Sequence, residues 1–462
     1  MKTLYLHQLH DHLRSLRLQM GFVLLLLVFA LNGLIQVWRF EQVRRDEASL
    51  RADMDSHFQH LETVADVVSG YKILLPLPQS MAIVDGGSEW FDDSMEFSVG
   101  TASDPPHTDR WRSQNNWMQR YEELDWSLIV RLVLSFLALA LAYDSVAGER
   151  ERGTLRLVFA NPVSRARFLV AKYLGALTPI AASLLVASLV SVAILSLGGA
   201  AQVTLSFAAA YGLFVVASLI YASIFILLAI AASALSRSSA SSLVVLMLAW
   251  TGLVIIIPQS AYLAAVSLRP QLPPWWEVYW GPVGDAYDAL ARDGIVGRDG
   301  QAAAQDGYRL EKLGAQRMSQ VEAEQFQALK QRESDIVSQY QLARQITAAS
   351  PASSFQFASE DLLGTGLPRY RSFEAAGWRY FEGLRTFVAG LDAQDPASPH
   401  VLYYSEYMSR RPIDRTIVPR FDHAGVSRRQ AVLSDPLPAV VLLLEALIAL
   451  FTAQWAVQRM EL

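Results

Sequence analysis

The stretch AYDSVAGERERGTLRLVFANPVSRARFLVAKYLG, residues 142–175, lies between two long apolar segments and decides the fold. It contains a Gly-Thr break, an Asn-Pro break and six basic residues: Arg150, Arg152, Arg156, Arg165, Arg167 and Lys172. Basic residues in short loops set the orientation of membrane spans. The pattern therefore predicts a compact loop between two spans at one face of a bilayer.

The apolar residues of the 462-residue chain are clustered rather than dispersed. Windows of about 20 apolar residues with few charges are long enough to cross a bilayer. Six such windows are present: residues 18–38, 124–143, 168–197, 204–235, 242–266 and 437–457. Residues 1–17 place Leu6, Leu9 and Leu13 near one helical face, which predicts an amphipathic helix at the membrane interface.

Composition and motifs exclude several kinds of chemistry. A net charge of −5 argues against a nucleic-acid partner, and the lack of cysteine excludes disulfides and thiolate metal sites. The sequence has no phosphate loop, no G-x-S-x-G and no H-E-x-x-H motif. We interpret His7, His10 and His12, with Asp11 among them, as ordinary surface residues of the N-terminal helix, and we predict no metal site, no cofactor and no catalytic residue in this chain.

The distribution of Lys and Arg predicts the topology. The N-terminal tail, residues 145–167, Arg237 and Arg459 are basic, whereas the link between spans three and four is uncharged. We therefore expect both termini in the cytoplasm. The predicted division is an interfacial helix (1–17), TM1 (18–38), extracytoplasmic insertion 1 (39–123), TM2 (124–143), a cytoplasmic hairpin (144–167), TM3 (168–197), TM4 (204–235), TM5 (242–266), extracytoplasmic insertion 2 (267–436), TM6 (437–457) and a cytoplasmic tail (458–462).

Helical periodicity continues into both insertions. Residues 308–348 and 373–391 each carry a narrow apolar stripe, and a polar helix is predicted between residues 47 and 68. Stripes this narrow suggest that the two insertions pack on each other or on a second subunit. The predicted fold is an all-α membrane protein with six transmembrane helices and a mainly helical extracytoplasmic domain.

Two ionisable residues fall inside the predicted spans. Arg131 is one or two turns into the second span, where its side chain can extend to the interface. Glu445 lies about a third of the way into the sixth, where a carboxylate must face protein or water or be protonated. Both are candidates for a transport pathway or a subunit contact, with a structural hydrogen bond as the alternative for Glu445.

The basic loop has its own predicted structure. Span two is expected to continue as a helix through residues 147–152, and Gly153 weakens it there. Residues 154–160 then form a short surface helix with Leu155 and Phe159 on its apolar side, and Ser164 caps the next helix. The alternative interpretation is a basic loop that only fixes membrane orientation.

This segment resembles the signature of ABC type-2 permeases, the membrane subunits of ABC exporters. The matching residues are Glu149 or Glu151, then Gly153-Thr154-Leu155, then Pro162-Val163-Ser164-Arg165, then Lys172-Tyr173-Leu174-Gly175. The large insertions after spans one and five are typical of one subgroup. The resemblance implies ATPase-coupling roles for Glu149, Glu151, Gly153, Thr154, Leu155, Phe159, Pro162, Val163, Ser164 and Arg165.

The resemblance also implies a function and partners. The chain is expected to be a permease of a bacterial inner membrane, without an ATP site of its own. It would work with a dimer of cytoplasmic ABC ATPase subunits that bind ATP and Mg, with a second permease copy or a paralogue, and with membrane lipid. Two alternatives stay open: a non-transporting mechanotransmission subunit that regulates a periplasmic partner, and a membrane-bound enzyme.

Overall fold

Six helices of the computed structural model are long and apolar enough to cross a membrane, which confirms the predicted all-α membrane protein. The structure describes residues 2–76, 78–86, 93–109, 124–268, 272–296, 300–423 and 425–460. The six candidate spans are Leu16–His60, Trp126–Glu151, Arg165–Leu197, Leu205–Leu235, Ser239–Ser260 and Leu437–Arg459.

The first span is part of a helix much longer than a bilayer is thick. An N-terminal helix, α1 (Lys2–Arg14), is followed by α2 (Leu16–His60), whose first turn is capped by the Ser15 hydroxyl accepting from the Leu18 amide. At about 1.5 Å per residue, the 45 residues of α2 extend roughly 68 Å. The hydrocarbon core of a bilayer is only about 30 Å thick. The polar helix predicted between residues 47 and 68 is therefore the continuation of that span, but it ends at His60, and Val64–Val68 form a separate 3-10 helix.

The second span is interrupted twice. It consists of α3 (Trp126–Ile129), a π-helix (Val130–Leu134) and α4 (Ser135–Ala142). A turn at residues 143–146 then precedes α5 (Ala147–Glu151), so the helix predicted over residues 147–152 is present but is separated from α4 by this turn. The first amides of α5 are satisfied from outside, because the Ser233 hydroxyl accepts from Val146 and Ala147.

The remaining membrane helices surround span four. The chain continues through the helices α6 (Thr154–Ala160), α7 (Arg165–Leu197), α8 (Leu205–Leu235), α9 (Ser239–Trp250) and α10 (Ile257–Ser267). A second π-helix, Thr251–Ile256, joins α9 to α10. Span four, which is α8, is the most buried span, and span five is the least buried.

The described residues of the two insertions, 39–123 and 267–436, pack together, and we call them the insert domain. The first insertion contributes a small antiparallel sheet, in the order β1 (Gly70–Leu74), β2 (Ser94–Ser98) and β3 (His107–Asp109). The sequence analysis did not predict this sheet. The second contributes the helices α11 (Trp275–Arg292), α12 (Gly300–Gln305), α13 (Arg309–Thr347), α14 (Pro351–Leu363), α15 (Leu367–Ala393) and α16 (Arg428–Ser434).

The two insertions share an apolar core. Phe97 of β2 contacts Phe381 of α15 with ring centroids 5.4 Å apart, and Phe381 contacts Phe326 of α13 at 5.2 Å. The helices α13 and α15 cover the predicted ranges 308–348 and 373–391. The predicted packing of the two insertions on each other is therefore present.

Helix α14 packs among the membrane helices, and Ile83 and Val84 of the first insertion are buried in the same core. Phe355 is fully buried and stacks on Tyr221, near the middle of α8, with ring centroids 4.8 Å apart. Ala352, Ala358 and Leu363 are buried in the same core as the spans. The prediction of a wholly external second insertion is therefore wrong for this helix. The last span, α17 (Leu437–Arg459), lies on its other side.

Candidate functional site

The end of the helix bundle that carries residues 144–167 is called the basic end, and helix α6 lies across it. Gly153 adopts φ of +71°, a conformation that disfavours other residues, and it turns the chain between α5 and α6. Arg152 and Arg156 are exposed, and Leu157 is 68% exposed. This face of α6 is free to meet another molecule.

The apolar side of α6 points into the protein. Leu155 is 1% exposed, and Phe159 packs on Phe168 of α7 with ring centroids 5.2 Å apart. The sequence analysis expected Leu155 and Phe159 to form a docking face. The structure instead gives these two residues an anchoring position, and Leu157 is the exposed apolar residue.

A buried ion pair fixes α5 to span three. The Lys172 ammonium lies 2.5 Å from the Glu149 carboxylate, with 2% and 13% of the two side chains exposed. Gln8 of α1 donates to the same carboxylate over 3.3 Å. Breaking a buried pair by removing one partner commonly costs about 3–5 kcal/mol. Glu149 therefore joins α1, α5 and α7.

Charged residues next to Glu149 bind backbone groups of neighbouring helices. The Glu151 carboxylate accepts from the backbone amide and the hydroxyl of Ser239, over 2.9 and 2.8 Å, and so caps α9. Arg150 donates to the carbonyls of Ala234 and Ser236 at the end of α8, where the helix dipole favours a cation. The segment is thereby tied to spans four and five.

The second half of the predicted motif joins span six. Ser164 caps α7 by accepting from the Arg167 amide, as predicted. Arg165 donates to the carbonyls of Val457, over 2.9 Å, and Met460, over 3.1 Å, at the end of α17.

The other motif residues lie nearby. Thr154 donates to the Glu149 carbonyl over 3.2 Å, and Pro162 is exposed. Pro162 and the half-buried Val163 line a cavity of about 430 Å³ beside Leu4 of α1. The structure thus brings all ten predicted coupling residues to the basic end.

Arg131 lies in a second region, where α14 meets the spans. Its guanidinium donates to the Gln356 side chain over 2.6 Å, and Gln356 donates to Glu360 over 3.1 Å. The backbone carbonyl of Arg131, within the π-helix, accepts from the Tyr221 hydroxyl over 3.1 Å. Its partner is thus a helix of its own chain rather than the membrane interface.

Glu445 faces the same helix from span six. The Ser354 side chain is within hydrogen-bonding reach of the Glu445 carboxylate. Ser350, which caps α14, also donates to the Leu253 carbonyl in the second π-helix. Both intramembrane ionisable residues therefore contact α14, which supports the structural hydrogen bond considered for Glu445.

A group of charged residues that the sequence analysis missed completes this region. Arg344 lies 2.6 Å from Asp361 and 3.5 Å from Asp435, and Arg344 and Asp361 are each 4% exposed. The sequence feature that could have indicated this charged group is the adjacent pair Glu360 and Asp361 at the end of an apolar helix.

Burial changes the acidity of two of these carboxyl groups. It raises the pKa of Glu360 to about 8, although the charge of Arg344 opposes the shift. It also raises the pKa of Asp361 to about 6, again against the charge and hydrogen bond of Arg344. Glu360 is therefore mostly protonated at neutral pH.

We predict that Glu360 makes the protein less stable as the pH rises. Its pKa of about 8 in the folded protein is above the ordinary value of 4.5, so its contribution is complete below pH 4.5 and is lost as the pH rises through 8. The loss is on the order of 2 kcal/mol or more. The melting temperature in nanodiscs should fall between pH 6 and pH 9, and Glu360→Gln should reduce this fall.

The matched control is Glu382→Gln, which removes an exposed carboxylate in α15. It should leave the pH dependence of melting unchanged. An identical fall in melting temperature for the wild type and Glu360→Gln would show that Glu360 does not titrate in this range.

Comparison with known proteins agrees with this arrangement. The chain is 26% identical over 234 residues to the probable ABC transporter permease protein NosY of Pseudomonas aeruginosa, a match covering 48% of this chain and 79% of that protein. The family described as ABC-2 family transporter protein matches residues 3–462. Because the match extends over nearly the whole sequence, the chain belongs to the ABC-2 family and is a membrane permease subunit of an ABC transporter.

Proposed function

We propose that this permease exports its substrate, driven by ATP hydrolysis in a separate cytoplasmic ATPase dimer that binds ATP and Mg. The observation that carries the proposal is the two-sided helix α6. One face exposes Arg156 and Leu157, next to the exposed Arg152 just before the helix, and the other is anchored through Leu155 and Phe159. A helix exposed on one side and fixed on the other can transmit the movement of a bound partner.

The contacts of the basic end support this transmission. Glu149 binds span three, Glu151 binds the start of span five, and Arg165 binds the end of span six. A displacement of α6 therefore acts on several spans together.

We propose a bacterial inner membrane as the compartment, with both termini in the cytoplasm. The basic residues at one end of the bundle support this orientation. Span five exposes Val244, Val245 and Leu248, and such an apolar face can meet lipid or a second permease copy or paralogue. We propose that the permease works as a dimer.

We predict that Leu157→Asp releases the ATPase. An apolar anchor in a protein groove commonly contributes about 2 kcal/mol or more, so a charge at this position should lower ATPase co-purification at least tenfold. Leu433→Asp is the control, because Leu433 has the same 68% exposure but lies in α16 of the insert domain. Co-purification and stimulated ATP turnover would be measured in nanodiscs for both variants.

Leu155→Asp should behave differently from Leu157→Asp. It places a charge in a fully packed position and should lower the melting temperature of the permease itself. If Leu157→Asp retains normal ATPase binding and turnover, the exposed face of α6 is not the docking face.

The orientation can be tested with single cysteines, because the chain contains none. Ser334→Cys in α13 and Ala160→Cys in α6 both replace exposed residues. We expect an impermeant thiol reagent added outside intact cells to label the first and not the second. Labelling of Ala160→Cys from outside would reverse the proposed topology. Two other serines of these segments are not used for labelling. The Ser239 side chain binds Glu151, and Ser88 lies outside the residues that the structure describes.

A second candidate function is mechanotransmission without transport. The observation that favours it is the burial of α14 among the spans, which joins the insert domain to the membrane helices through Phe355, Gln356 and Ser350. Such a connection would move the insert domain when the spans move, so that it could regulate a periplasmic partner.

We predict that Phe355→Ala uncouples the insert domain from the basic end. Removing a fully buried phenylalanine ring typically costs about 3–5 kcal/mol, which should loosen α14 while leaving the basic end intact. Amide exchange in the insert domain should change on ATP addition in the wild-type complex, and this change should disappear in Phe355→Ala although ATP turnover continues. Leu402→Ala, at a more exposed position of the insert domain, should retain the response.

Export and mechanotransmission differ in one measurement. Vesicles loaded with a cell extract can be analysed by mass spectrometry before and after ATP hydrolysis. ATP-dependent depletion of a compound supports export. An ATP-dependent change in amide exchange without any depletion supports mechanotransmission.

A further inference from the structure

The insert domain contains a cavity of about 740 Å³ at the junction of the two insertions. The first insertion contributes His57, Asp66 and Thr101 to its wall. The second contributes Glu311 and four tyrosines: Tyr287, Tyr403, Tyr404 and Tyr407. This volume is in the range of small-molecule sites in proteins, which is about 300–1,000 Å³.

Three polar atoms that belong to residues lining the cavity are buried, with almost no exposed surface of their own, and form no hydrogen bond within the described protein. They are the His57 Nε2 nitrogen, the Thr101 hydroxyl and the Tyr404 hydroxyl. Buried polar atoms nearly always have a partner, so three of them around one cavity require an explanation. A ligand with several hydrogen-bond donors would supply it.

Strained backbone surrounds the same cavity. Among the described residues, four other than glycine have positive φ: Ala102, Tyr308, His400 and Tyr403. Tyr403 lines the cavity, and Ala102 and His400 are each next to a lining residue. The Tyr308 ring packs on the lining Tyr407, with centroids 5.7 Å apart. Such conformations are costly and cluster at functional sites.

Two fully buried carboxylates hold these strained residues in place. Glu322 accepts from the Ala102 amide over 2.6 Å and pairs with Arg385, whose guanidinium lies 4.0 Å from the Tyr403 ring centroid. Asp392 binds the His400 ring over 3.0 Å. Buried side chains therefore maintain this strained backbone, which is not a result of loop flexibility.

The charged residues that line the cavity favour a cationic ligand. Asp66, Glu311 and Glu406 line the cavity, and its described lining includes neither lysine nor arginine. Tyrosine faces attract cations, and carboxylates attract them further. Arg385 lies behind the Tyr403 ring, and its charge is compensated by Glu322.

The protonation states of three lining residues also favour a cationic ligand. Hydrogen bonds from Thr63 and Glu62 lower the pKa of Asp66 although partial burial opposes them, so Asp66 remains charged. Burial, followed by the charge of Glu322, raises the pKa of Tyr404 to about 12, so its hydroxyl is neutral. Burial also lowers the pKa of His57, which keeps its ring neutral and able to accept a hydrogen bond.

We propose that this cavity binds a primary ammonium compound with an aromatic or other apolar body. An ammonium group carries three donors and no acceptor, which suits the three unpartnered polar atoms and the acidic lining. The apolar body would lie on the tyrosine rings. The proposal concerns the insert domain alone and does not depend on the direction of transport.

The test uses the full chain in nanodiscs and three probes of nearly equal shape. These are 2-phenylethylammonium, neutral 2-phenylethanol and anionic phenylacetate, with binding measured by saturation-transfer NMR against empty nanodiscs. We expect the cation to bind most tightly. Because a hydrogen bond to a charged group contributes enough for about a tenfold change in affinity, Glu311→Gln and Tyr404→Phe should each raise the dissociation constant about tenfold.

The matched control is Glu324→Gln, which removes an exposed carboxylate from the same helix as Glu311, away from the cavity lining. It should leave affinity unchanged, and near-ultraviolet circular dichroism should show that all variants are folded. Equal binding of the alcohol or the anion, no binding of the cation, or unchanged affinity in both folded cavity variants would overturn the proposal.

Discussion

The burial of helix α14 among the membrane spans is the constraint on which the connection between the insert domain and the bundle depends. Phe355 stacks on Tyr221 in the middle of span four. Burial of such a ring contributes about 1.5–3 kcal/mol, while the same helix carries Glu360 and Asp361 into low-dielectric surroundings that oppose the burial. Arg344 offsets part of that cost by pairing with Asp361. The insert domain is thus held by packed side chains as well as by its chain connections.

Spans two and four connect this helix with the basic end. Span two binds Gln356 through Arg131 and leads at its other end into α5 and Glu149. Span four binds the Arg131 carbonyl through Tyr221 and caps α5 through Ser233. The two spans are therefore bonded to each other at two levels, at the middle of span four and at its basic end. Moving one without the other would break buried hydrogen bonds, so a physical path between the ends exists whichever of the two functions applies.

Local patterns were sufficient to predict part of this structure. The break at Gly153 and the cap at Ser164 depend only on residues a few positions away. Helix α6 accordingly has the predicted bounds. The inward direction of Leu155 could not be predicted, because an apolar stripe does not reveal which neighbour covers it. The burial of α14 was missed for a related reason: its charged residues are typical of a soluble helix, and Arg131, the partner of Gln356 in this helix, is over 200 residues away. The strands of three to five residues were too short for a periodic signal.

Energetically unfavourable features of the chain are concentrated in two places. In both, neighbouring residues stabilise them. At α14, the cost is the desolvation of two acids, and the Arg344 ion pair and the Gln356 hydrogen bonds offset part of it. Around the insert-domain cavity, the cost is left-handed backbone, and Glu322 and Asp392 hold it in place. A sequence selected only for stability would replace such residues, since apolar substitutes and relaxed loops are more favourable. Their retention at a span contact and at a cavity is what a protein requires if movement of the spans and binding by the insert domain are both part of its work.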